Sequence, residues 1–425
     1  MTTVDADVVV CGGGMAGTVA AIAAARAGAR TLLIERWGFL GGSATAASVG
    51  QFVGWETAAG RQVVRGIAEE IVTSLVARGA STGHGHFTMS TGHRMDRVAY
   101  DPEMLKLVLD EMVAGAGVRV LFHASVMAVA HAGRLIGGVG LLTRAGLLEV
   151  GARVVVDASG ELDVLARAGA AFLPLAAGEQ MQPATMMFRF GPIDFARFEA
   201  LTEPELAALA QQGVAEGALA RAALHCSRVP LTADGWFNIT RVAVDATDPF
   251  ALSAAEQEGR RQAFAAAAFL QVRVPGCAAG RLVALAAQLG IRESRRIHGR
   301  ATLHAEDLRR GAAVADAIAV GAYPIDLHPA AGSGLRFETL GADHAYGIPY
   351  GCLVPEGFDN VLVAGRGISA SHTAHAATRV MPTVMAVGEA AGMAAARAAA
   401  GNVDVAGLDI AALRRALRAA GAFVG

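Results

Sequence analysis

The first 45 residues run in the order strand, glycine turn, helix, strand and acid, which constrains the fold more than any other part of the chain. A short apolar run at Asp7–Val10 suits a buried parallel strand. Gly12, Gly14 and Gly17 follow it in G-x-G-x-x-G spacing. An alanine-rich helix is expected over Thr18–Ala29, and a second apolar run at Thr31–Ile34 ends at Glu35. This order predicts a dinucleotide-binding βαβ unit.

Each residue of this pattern has a physical role in the prediction. Gly12 permits a tight turn, Gly14 lets the backbone approach a pyrophosphate, and Gly17 lets the helix pack closely on the strand. The helix N-terminus offers unpaired N–H groups to the phosphates. Glu35 is placed to accept ribose hydroxyls, so a 2′-phosphate, and hence NADP, is disfavoured. The alternative is a glycine-rich turn in an ordinary α/β protein.

Composition limits the class of protein. A chain of 425 residues that is 53% hydrophobic has room for two to three domains and a large core. We expect no transmembrane span and no signal peptide. The net charge of −2 and the lack of a basic stripe disfavour nucleic acid as a partner. The four cysteines are scattered without a C-x-x-C pair, which suits a reducing cytoplasm, the expected location.

Further elements suggest two domains in a discontinuous arrangement. Helices are predicted at Arg65–Arg78, Asp101–Gly117, Glu203–Gly217, Ser253–Val272 (capped by Ser253) and Pro382–Ala400, and strands at Arg119–Phe122, Ser125–His131, Leu135–Thr143, Gly146–Val150, Arg153–Val156, Thr185–Phe190, Trp236–Val244 and Val361–Ala364. Strands 125–150 predict an antiparallel meander, and the segment 81–97 is expected to be a loop. We expect residues 1–175 and 341–425 to form the nucleotide-binding domain, and 176–340 an inserted substrate or cap domain.

Five segments downstream carry a family resemblance. They are GFLGGSAT at 38–45, VVVDASGELDVLARAGA at 154–170, LGIRESRRIHGRATLHAEDL at 289–308, YPIDLH at 323–328 and DNVLVAGRGISASHTAHAATRVMPTVMAVGEAAGMAAA at 359–396. With the N-terminal pattern, they make the chain resemble the FAD-dependent oxidoreductases of the glutathione-reductase-like superfamily, related to fumarate reductase and succinate dehydrogenase flavoproteins. The resemblance implies FAD rather than NAD. It also implies an α/β fold: a Rossmann-like FAD-binding domain, with a parallel sheet and an antiparallel meander, plus an inserted α+β substrate domain.

The resemblance extends the candidate cofactor site beyond the first glycines. Gly41 and Gly42 would let backbone pass near the ribityl and pyrophosphate groups, Val126 matches a backbone position that contacts adenine, and the helix from Pro382 would direct its positive end at the flavin. The predicted FAD-binding set is Gly12, Gly14, Met15, Ala16, Gly17, Glu35, Arg36, Gly41, Gly42, Ser43, Val126, Ala158, Ser159, Gly160, Gly365, Arg366, Pro382 and Thr383.

Candidate catalytic residues lie in two of the family-like segments. His372 and His375, just before Arg379, suit proton transfer or flavin contact, with a structural hydrogen-bonding role as the alternative. Arg292 and Arg295 in a strand-like segment suit oxyanion binding, with a salt-bridge network as the alternative. Tyr350 is a candidate to line the site.

A metal site is a weaker hypothesis. His84, His86, His93 and Asp96 do not have the spacing of a defined site, and we interpret them as histidines of a loop. No metal is predicted.

Several functions fit this pattern. The first is a dehydrogenase or oxidase that transfers a hydride between a small organic substrate and the flavin. The alternatives are a reductase of an activated double bond and a flavoprotein subunit that docks to an electron-transfer partner. A monooxygenase is disfavoured because AGRGISASH, at residues 364–372, lacks the acid expected near the second flavin segment. The electron acceptor (oxygen, a quinone or a partner protein) and the oligomeric state stay open.

Overall fold

The computed structural model describes residues 3–88, 93–311, 314–330 and 335–425. Its helices are α1 Met15–Arg26, α2 Ile67–Ala77, α3 Pro102–Gly115, α4 Asp163–Arg167, α5 Phe195–Phe198, α6 Glu203–Ala215, α7 Pro249–Arg273, α8 Ala305–Arg310, α9 His372–Thr378, α10 Met381–Gly401 and α11 Ile410–Ala419. Its strands are β1 Thr3–Cys11, β2 Thr31–Ile34, β3 Gln51–Phe52, β4 Ser81–Thr88, β5 Arg94–Tyr100, β6 Arg119–Leu121, β7 Ser125–Ala132, β8 Leu135–Thr143, β9 Gly146–Asp157, β10 Phe188–Gly191, β11 Cys226–Arg228, β12 Gly235–Phe237, β13 Arg281–Leu285, β14 Ala317–Gly321, β15 Ile325–Leu327, β16 Arg336–Glu338, β17 Tyr346–Pro349 and β18 Val361–Val363.

The main sheet has the order β6-β2-β1-β9-β8-β7, and β18 also pairs with β9. Strands β6, β2, β1, β9 and β18 run parallel, whereas β7, β8 and β9 form an antiparallel meander. This confirms the predicted fold class. The carboxyl ends of β1, β2, β9 and β18 therefore meet at one edge of the sheet, where open α/β folds bind ligands.

A second, four-stranded antiparallel sheet of order β11-β12-β10-β13 lies in the middle of the chain. Its apolar side chains form a separate cluster that runs from Ala184 to Leu289, with α6 and α7 packed on it. Ile297, Leu303 and Ile318 instead pack in the cluster of the main sheet. The domain boundaries at 176 and 340 remain a prediction.

Several predicted elements need correction. In the segment predicted as a loop, residues 81–88 form β4 and residues 94–97 belong to β5, and the two strands pair antiparallel; residues 89–92 lie outside the described residues. The alternation of β4 is hidden in the sequence because two of its inward positions are Gly83 and Gly85. Helix α7 is capped by Asp248, whose carboxylate accepts from the backbone N–H groups of Phe250 and Ala251 at 2.8 and 2.9 Å; Ser253 lies inside the helix.

Three predicted strands also differ. The predicted strands at 146–150 and 153–156 are one continuous strand, β9, and the predicted strand at 236–244 is reduced to β12. The segment that contains Arg292 and Arg295 belongs to no strand.

Helices α1 and α10 pack in unusually close contact because α10 has glycines where the two helices touch. A Cβ atom on Gly388 would lie 2.2 Å from the carbonyl oxygen of Ala16, and one on Gly392 would lie 2.0 Å from that of Ala20. The later glycine of α10, Gly392, contacts the later residue of α1, Ala20, so the two helices run parallel. Because the sheet covers its other side, α1 is buried from Met15 to Ala24.

Glu389 is a carboxyl group buried on α10. Its Oε2 accepts a hydrogen bond of 3.1 Å from the backbone N–H of Ile67, at the start of α2. Burial raises the pKa of Glu389 to about 7. Gly66, with φ of +69°, lies against this carboxylate, since a Cβ there would approach Oε2 to 2.4 Å.

None of the helices in the described ranges is both long and apolar enough to cross a bilayer.

We predict that Gly392→Ala destabilises the protein by about 1–3 kcal/mol, because the added methyl group has no space beside the Ala20 carbonyl. Urea unfolding measures the change. Gly401→Ala, at the end of the same helix with its nearest neighbour 3.6 Å away, is the matched control and should change stability by less than about 1 kcal/mol. Equal effects of the two substitutions would contradict the close contact.

A second prediction concerns pH. Since the pKa of Glu389 is about 7 in the folded protein against 4.5 for the free side chain, the folded state binds more protons between these values, and stability falls as pH rises through them. Glu389→Gln keeps an acceptor for Ile67, so it should stabilise the protein by about 1–3 kcal/mol at about pH 8. The gain should shrink towards about pH 5. A gain independent of pH in urea unfolding would argue against a titrating Glu389.

Candidate functional site

One cavity of about 700 Å³ joins the carboxyl edge of the main sheet to the second sheet. Of the predicted residues, it is lined by Gly12, Gly14, Met15, Ala16, Glu35, Arg36, Gly42, Ser43, Ala158, Ser159, Gly160, Arg292, Gly365, Arg366 and Arg379. The other predicted residues lie outside its lining: Gly17, Gly41, Val126, Arg295, Tyr350, His372, His375, Pro382 and Thr383.

The glycine turn after β1 has the geometry that its sequence predicts. Gly12 has φ of +104°, which favours glycine, and a Cβ on Gly17 would lie 1.9 Å from the carbonyl oxygen of Gly12. Gly14 faces open space, since the nearest atom to a Cβ there is 3.9 Å away, on Gly42. The turn therefore leaves room in front of Gly14 at the N-terminus of α1.

Glu35 stands at the end of β2 and organises the loops around it. Its Oε2 accepts from the N–H of Gly13 at 2.7 Å, and its Oε1 accepts from that of Trp37 at 2.8 Å. Burial raises its pKa, and these two hydrogen bonds oppose the rise. Each oxygen keeps a second lone pair for a ligand hydroxyl.

The turn after β9 is fixed by a buried aspartate. Asp157 accepts from Ser159 through Oδ1 and from the N–H groups of Val164 and Leu165 through Oδ2, both at 3.0 Å. This carboxylate thereby caps α4 and presents residues 158–160 to the cavity. Arg366, after β18, pairs with Glu161.

Buried polar atoms without partners point to a bound molecule at this end of the cavity. Trp37 Nε1, Glu161 Oε2 and Arg366 Nε have no hydrogen-bond partner within the described part of the chain, and all three residues line the cavity. Buried polar groups are rarely left unsatisfied. The glycine turn, Glu35 and these atoms together fit the predicted dinucleotide cofactor.

The opposite wall of the cavity is rich in arginine. Arg292 donates to the carbonyl oxygen of Pro183 at 2.6 Å, to Thr185 Oγ1 at 2.8 Å and to Asn238 Oδ1 at 3.4 Å, which are all neutral acceptors. Burial, Arg379 and Arg221 lower its pKa. Among the described residues, Arg292 and Arg221 take part in no ion pair.

Asp326 is the carboxylate nearest to these arginines. Its Oδ2 accepts from the Tyr323 hydroxyl at 3.1 Å, and it lies 3.3 Å from Nε2 of His328 and 3.7 Å from Nη2 of Arg379. Burial alone would raise the pKa of Asp326, but His328, Arg379 and Arg292 hold it well below its usual value. Asp326 Oδ1 is buried and has no partner in the described ranges.

Sequence reasoning missed Tyr323, Asp326 and His328, although it quoted their segment, YPIDLH. It also missed Gln182, whose Oε1 accepts from the backbone N–H of His328 at 3.3 Å. The available indication was the close spacing of a Tyr, an Asp and a His in one short segment, with Asp326 on β15 and the other two residues on either side of it. Nothing in the sequence indicated that β15 faces Arg292.

The predicted histidine pair is placed differently from the other candidates. Nδ1 of His372 meets Oε1 of Glu293 at 2.8 Å, and Glu293 also lies 3.4 Å from Arg296. Burial lowers the pKa of His375 to about 3, and neither of its ring nitrogens has a hydrogen-bond partner in the described structure. Both histidines thus lie behind the cavity wall, beside a buried ion-pair network.

The two remaining catalytic candidates make structural contacts. Arg295 donates to the carbonyl oxygen of Glu161 at 2.9 Å, and the Tyr350 hydroxyl donates to that of Val405 at 2.7 Å. Neither side chain reaches the cavity lining.

The histidines weighed as metal ligands have separate partners. His84 meets Glu69 at 2.9 Å, His86 pairs with Glu56, and Asp96 accepts from the N–H groups of Gly54 and Trp55. In the described part of the chain, no three His, Cys, Asp or Glu side chains form a group suited to a metal ion.

Comparison with known structures shows the fold. The chain superposes on a geranylgeranyl bacteriochlorophyll reductase-like protein from Thermoplasma acidophilum with a TM-score of 0.51, at 13% identity over 98% of this chain and 84% of that one. For p-nitrophenol 4-monooxygenase from Pseudomonas putida, the TM-score is 0.50 at 14% identity, with the same coverage.

Sequence comparison identifies a relative and a family. Digeranylgeranylglycerophospholipid reductase 2 from Methanopyrus kandleri is 36% identical over 154 residues, which are 36% of this chain and 37% of the relative. The aligned part is thus little more than a third of that relative. The family described as FAD dependent oxidoreductase matches residues 7–417. The chain therefore belongs to the FAD dependent oxidoreductase family and is an enzyme with FAD as its cofactor.

Proposed function

We propose that this enzyme oxidises a small organic acid by transfer of a hydride from a substrate carbon to the flavin, with the acid group bound by arginines of the cavity. The observation that carries the proposal is the position of Arg292. Its charge is matched by no ion pair in the described chain, and it lines the same cavity as the glycine turn after β1.

The cofactor is assigned to the glycine-lined end of the cavity. The N–H groups at the start of α1 suit its pyrophosphate, and Glu35 suits the ribose hydroxyls. Residues 158–160 and Gly365 border the same space, at the ends of β9 and β18. When bound there, FAD supplies the two-electron acceptor, and the protein supplies binding, orientation and charge.

The substrate is assigned to the arginine-lined end. Arg292 and Arg379 offer planar groups of N–H donors, which match a carboxylate. The backbone of Asp326 and the side chain of Gln182 accept from Arg379 at 3.2 and 3.4 Å, so its guanidinium is oriented before a ligand binds. With Arg221, three cationic side chains interact with the carboxylate of Asp326, and in the described part of the chain only Arg379 of the three forms an ion pair. The excess positive charge favours an anion.

The wall beside these arginines suits the rest of the substrate. One segment runs from Arg221 through Leu224 and lines the cavity along its length. Met187 and Phe198 continue the apolar surface. An acid with an apolar body would match both parts of this wall.

Reduction of an activated carbon–carbon double bond is the second candidate. Its support is the reductase from Methanopyrus kandleri, which shares 36% identity with part of this chain. Anaerobic mixing separates the two directions. Oxidation predicts that saturated hydroxy or amino acids bleach the oxidised flavin, whereas reduction predicts that unsaturated acids restore the colour of the reduced flavin.

We predict that Arg292→Gln weakens binding of the acid by about 10- to 100-fold, since a charged donor to a carboxylate is lost. Perturbation of the flavin spectrum by a panel of carboxylates measures the affinity. Arg415→Gln, an exposed arginine on α11, is the control and should bind as the wild type does. Equal affinity of the Arg292 variant for every acid, with FAD retained, would contradict the substrate assignment.

We also predict that Glu35→Ala weakens FAD retention by about 1–3 kcal/mol, because a buried acceptor for ribose and for two backbone N–H groups is lost. Dialysis against increasing salt, followed by the flavin absorbance, measures the loss. Glu111→Ala, an exposed partner of Arg78, should retain FAD fully. Unchanged retention in the Glu35 variant would mean that the adenosine half of the cofactor binds elsewhere.

A further inference from the structure

We propose that His328 accepts the proton released during substrate oxidation, that Asp326 positions it, and that it acts as a base only after an acid group has bound to Arg292 and Arg379. The inference rests on the proposed function. It adds a catalytic residue that neither the sequence pattern nor the family description assigns.

The geometry supplies the first support. His328 and Asp326 lie two residues apart on and just after β15, and both line the cavity. Nε2 of His328 lies 3.3 Å from Oδ2 of Asp326, and the backbone N–H of His328 donates to Gln182. His328 is therefore held in place both at its ring and at its backbone.

The charge of Asp326 decides which ring nitrogen can take a proton. Because His328, Arg379 and Arg292 hold the pKa of Asp326 well below its usual value, this carboxylate is ionised at neutral pH. An ionised carboxylate accepts only, so Nε2 of His328 carries the proton and donates it to Oδ2. The lone pair of the neutral ring is then on Nδ1, the nitrogen not engaged by Asp326.

The groups around His328 leave it a poor base before a ligand binds. Burial, followed by the charge of Arg292, lowers its pKa to about 3; Asp326 opposes this shift, and Arg379 adds to it. Tyr323 bonds to the same oxygen of Asp326.

On the neighbouring elements that the structure describes, charged groups are either exposed or engaged by other residues. On β16, paired with β15, Glu338 is engaged by Arg309, and Arg336 is exposed. On α9, which packs on β15, His372 is engaged by Glu293. Besides burial, the charges of Arg292, Arg379 and Asp326 therefore act most strongly on the proton affinity of His328.

An anionic substrate changes this balance. A carboxylate bound to Arg292 and Arg379 offsets the two charges that disfavour imidazolium, so the proton affinity of Nδ1 rises as the substrate binds. For an acid that carries a hydroxyl group, the hydrogen of the C–H bond would leave with its electron pair as a hydride to the two-electron acceptor that FAD supplies when bound, and the O–H proton would pass to Nδ1. The carbon gains a double bond to oxygen, so atoms and electrons balance.

Proton uptake on binding of an unreactive acid tests the inference without turnover. Benzoate is titrated into the FAD-loaded enzyme in buffers of different ionisation heat, and calorimetry gives both its affinity and the protons taken up. We expect the wild type to take up a fraction of a proton when benzoate binds, and this fraction should grow as the pH falls from about 7 to about 5. The reason is that bound benzoate should raise the pKa of His328.

Two variants assign the proton. His328→Gln should bind benzoate but lose the uptake, and His328→Asn repeats the measurement if the first variant does not retain FAD. His298→Gln is the matched control, because His298 lies in an exposed pair with Glu356 at 3.2 Å, away from the cavity; it should keep the wild-type uptake.

The outcomes separate this inference from the proposed function. Benzoate binding without proton uptake, or uptake that persists without His328, would overturn the role of His328 and leave the arginine site intact. Failure of the wild type to bind benzoate or acetate would contradict the arginine site itself, and with it the inference.

Discussion

The contact between α1 and α10 is the constraint on which the rest of the structure depends. Gly388 and Gly392 bring the two helices to backbone contact at Ala16 and Ala20, so the helices lie side by side. Their first residues, Met15 and Met381, line the same cavity. Two parallel helices thus direct their positive ends at one space, which favours the anionic groups of a dinucleotide there.

The positive potential in the cavity has two sources, one at each end. At the carboxyl edge of the main sheet, the positive potential comes from the backbone N–H groups at the start of α1. At the other end, it comes from Arg292, Arg379 and Arg221, whose charges Asp326 partly offsets. The first end matches the proposed cofactor site, and the second end matches the proposed site for an anionic substrate.

The sequence predicted what is local and missed what is distant. Gly12, Gly17 and Glu35 act within a single βαβ unit, so their spacing was enough to place them. The predicted proton-handling pair, His372 and His375, was chosen for its nearness to Arg379 along the chain. In the fold these histidines lie outside the cavity lining, whereas Asp326, which is distant from Arg379 in sequence, lies 3.7 Å from its guanidinium, a proximity that no sequence periodicity indicates.

The pairing of the first helix with the last long one also has a consequence during synthesis. β1 needs β9 as a neighbour, and α1 needs the glycines of α10, which leave the ribosome more than 360 residues later. Until then, the alanine-rich outer face of α1 has no cover, although its own βαβ unit is complete. The nascent chain must therefore keep an apolar surface soluble until α10 has been synthesised, which makes this unit a natural place for a chaperone to act.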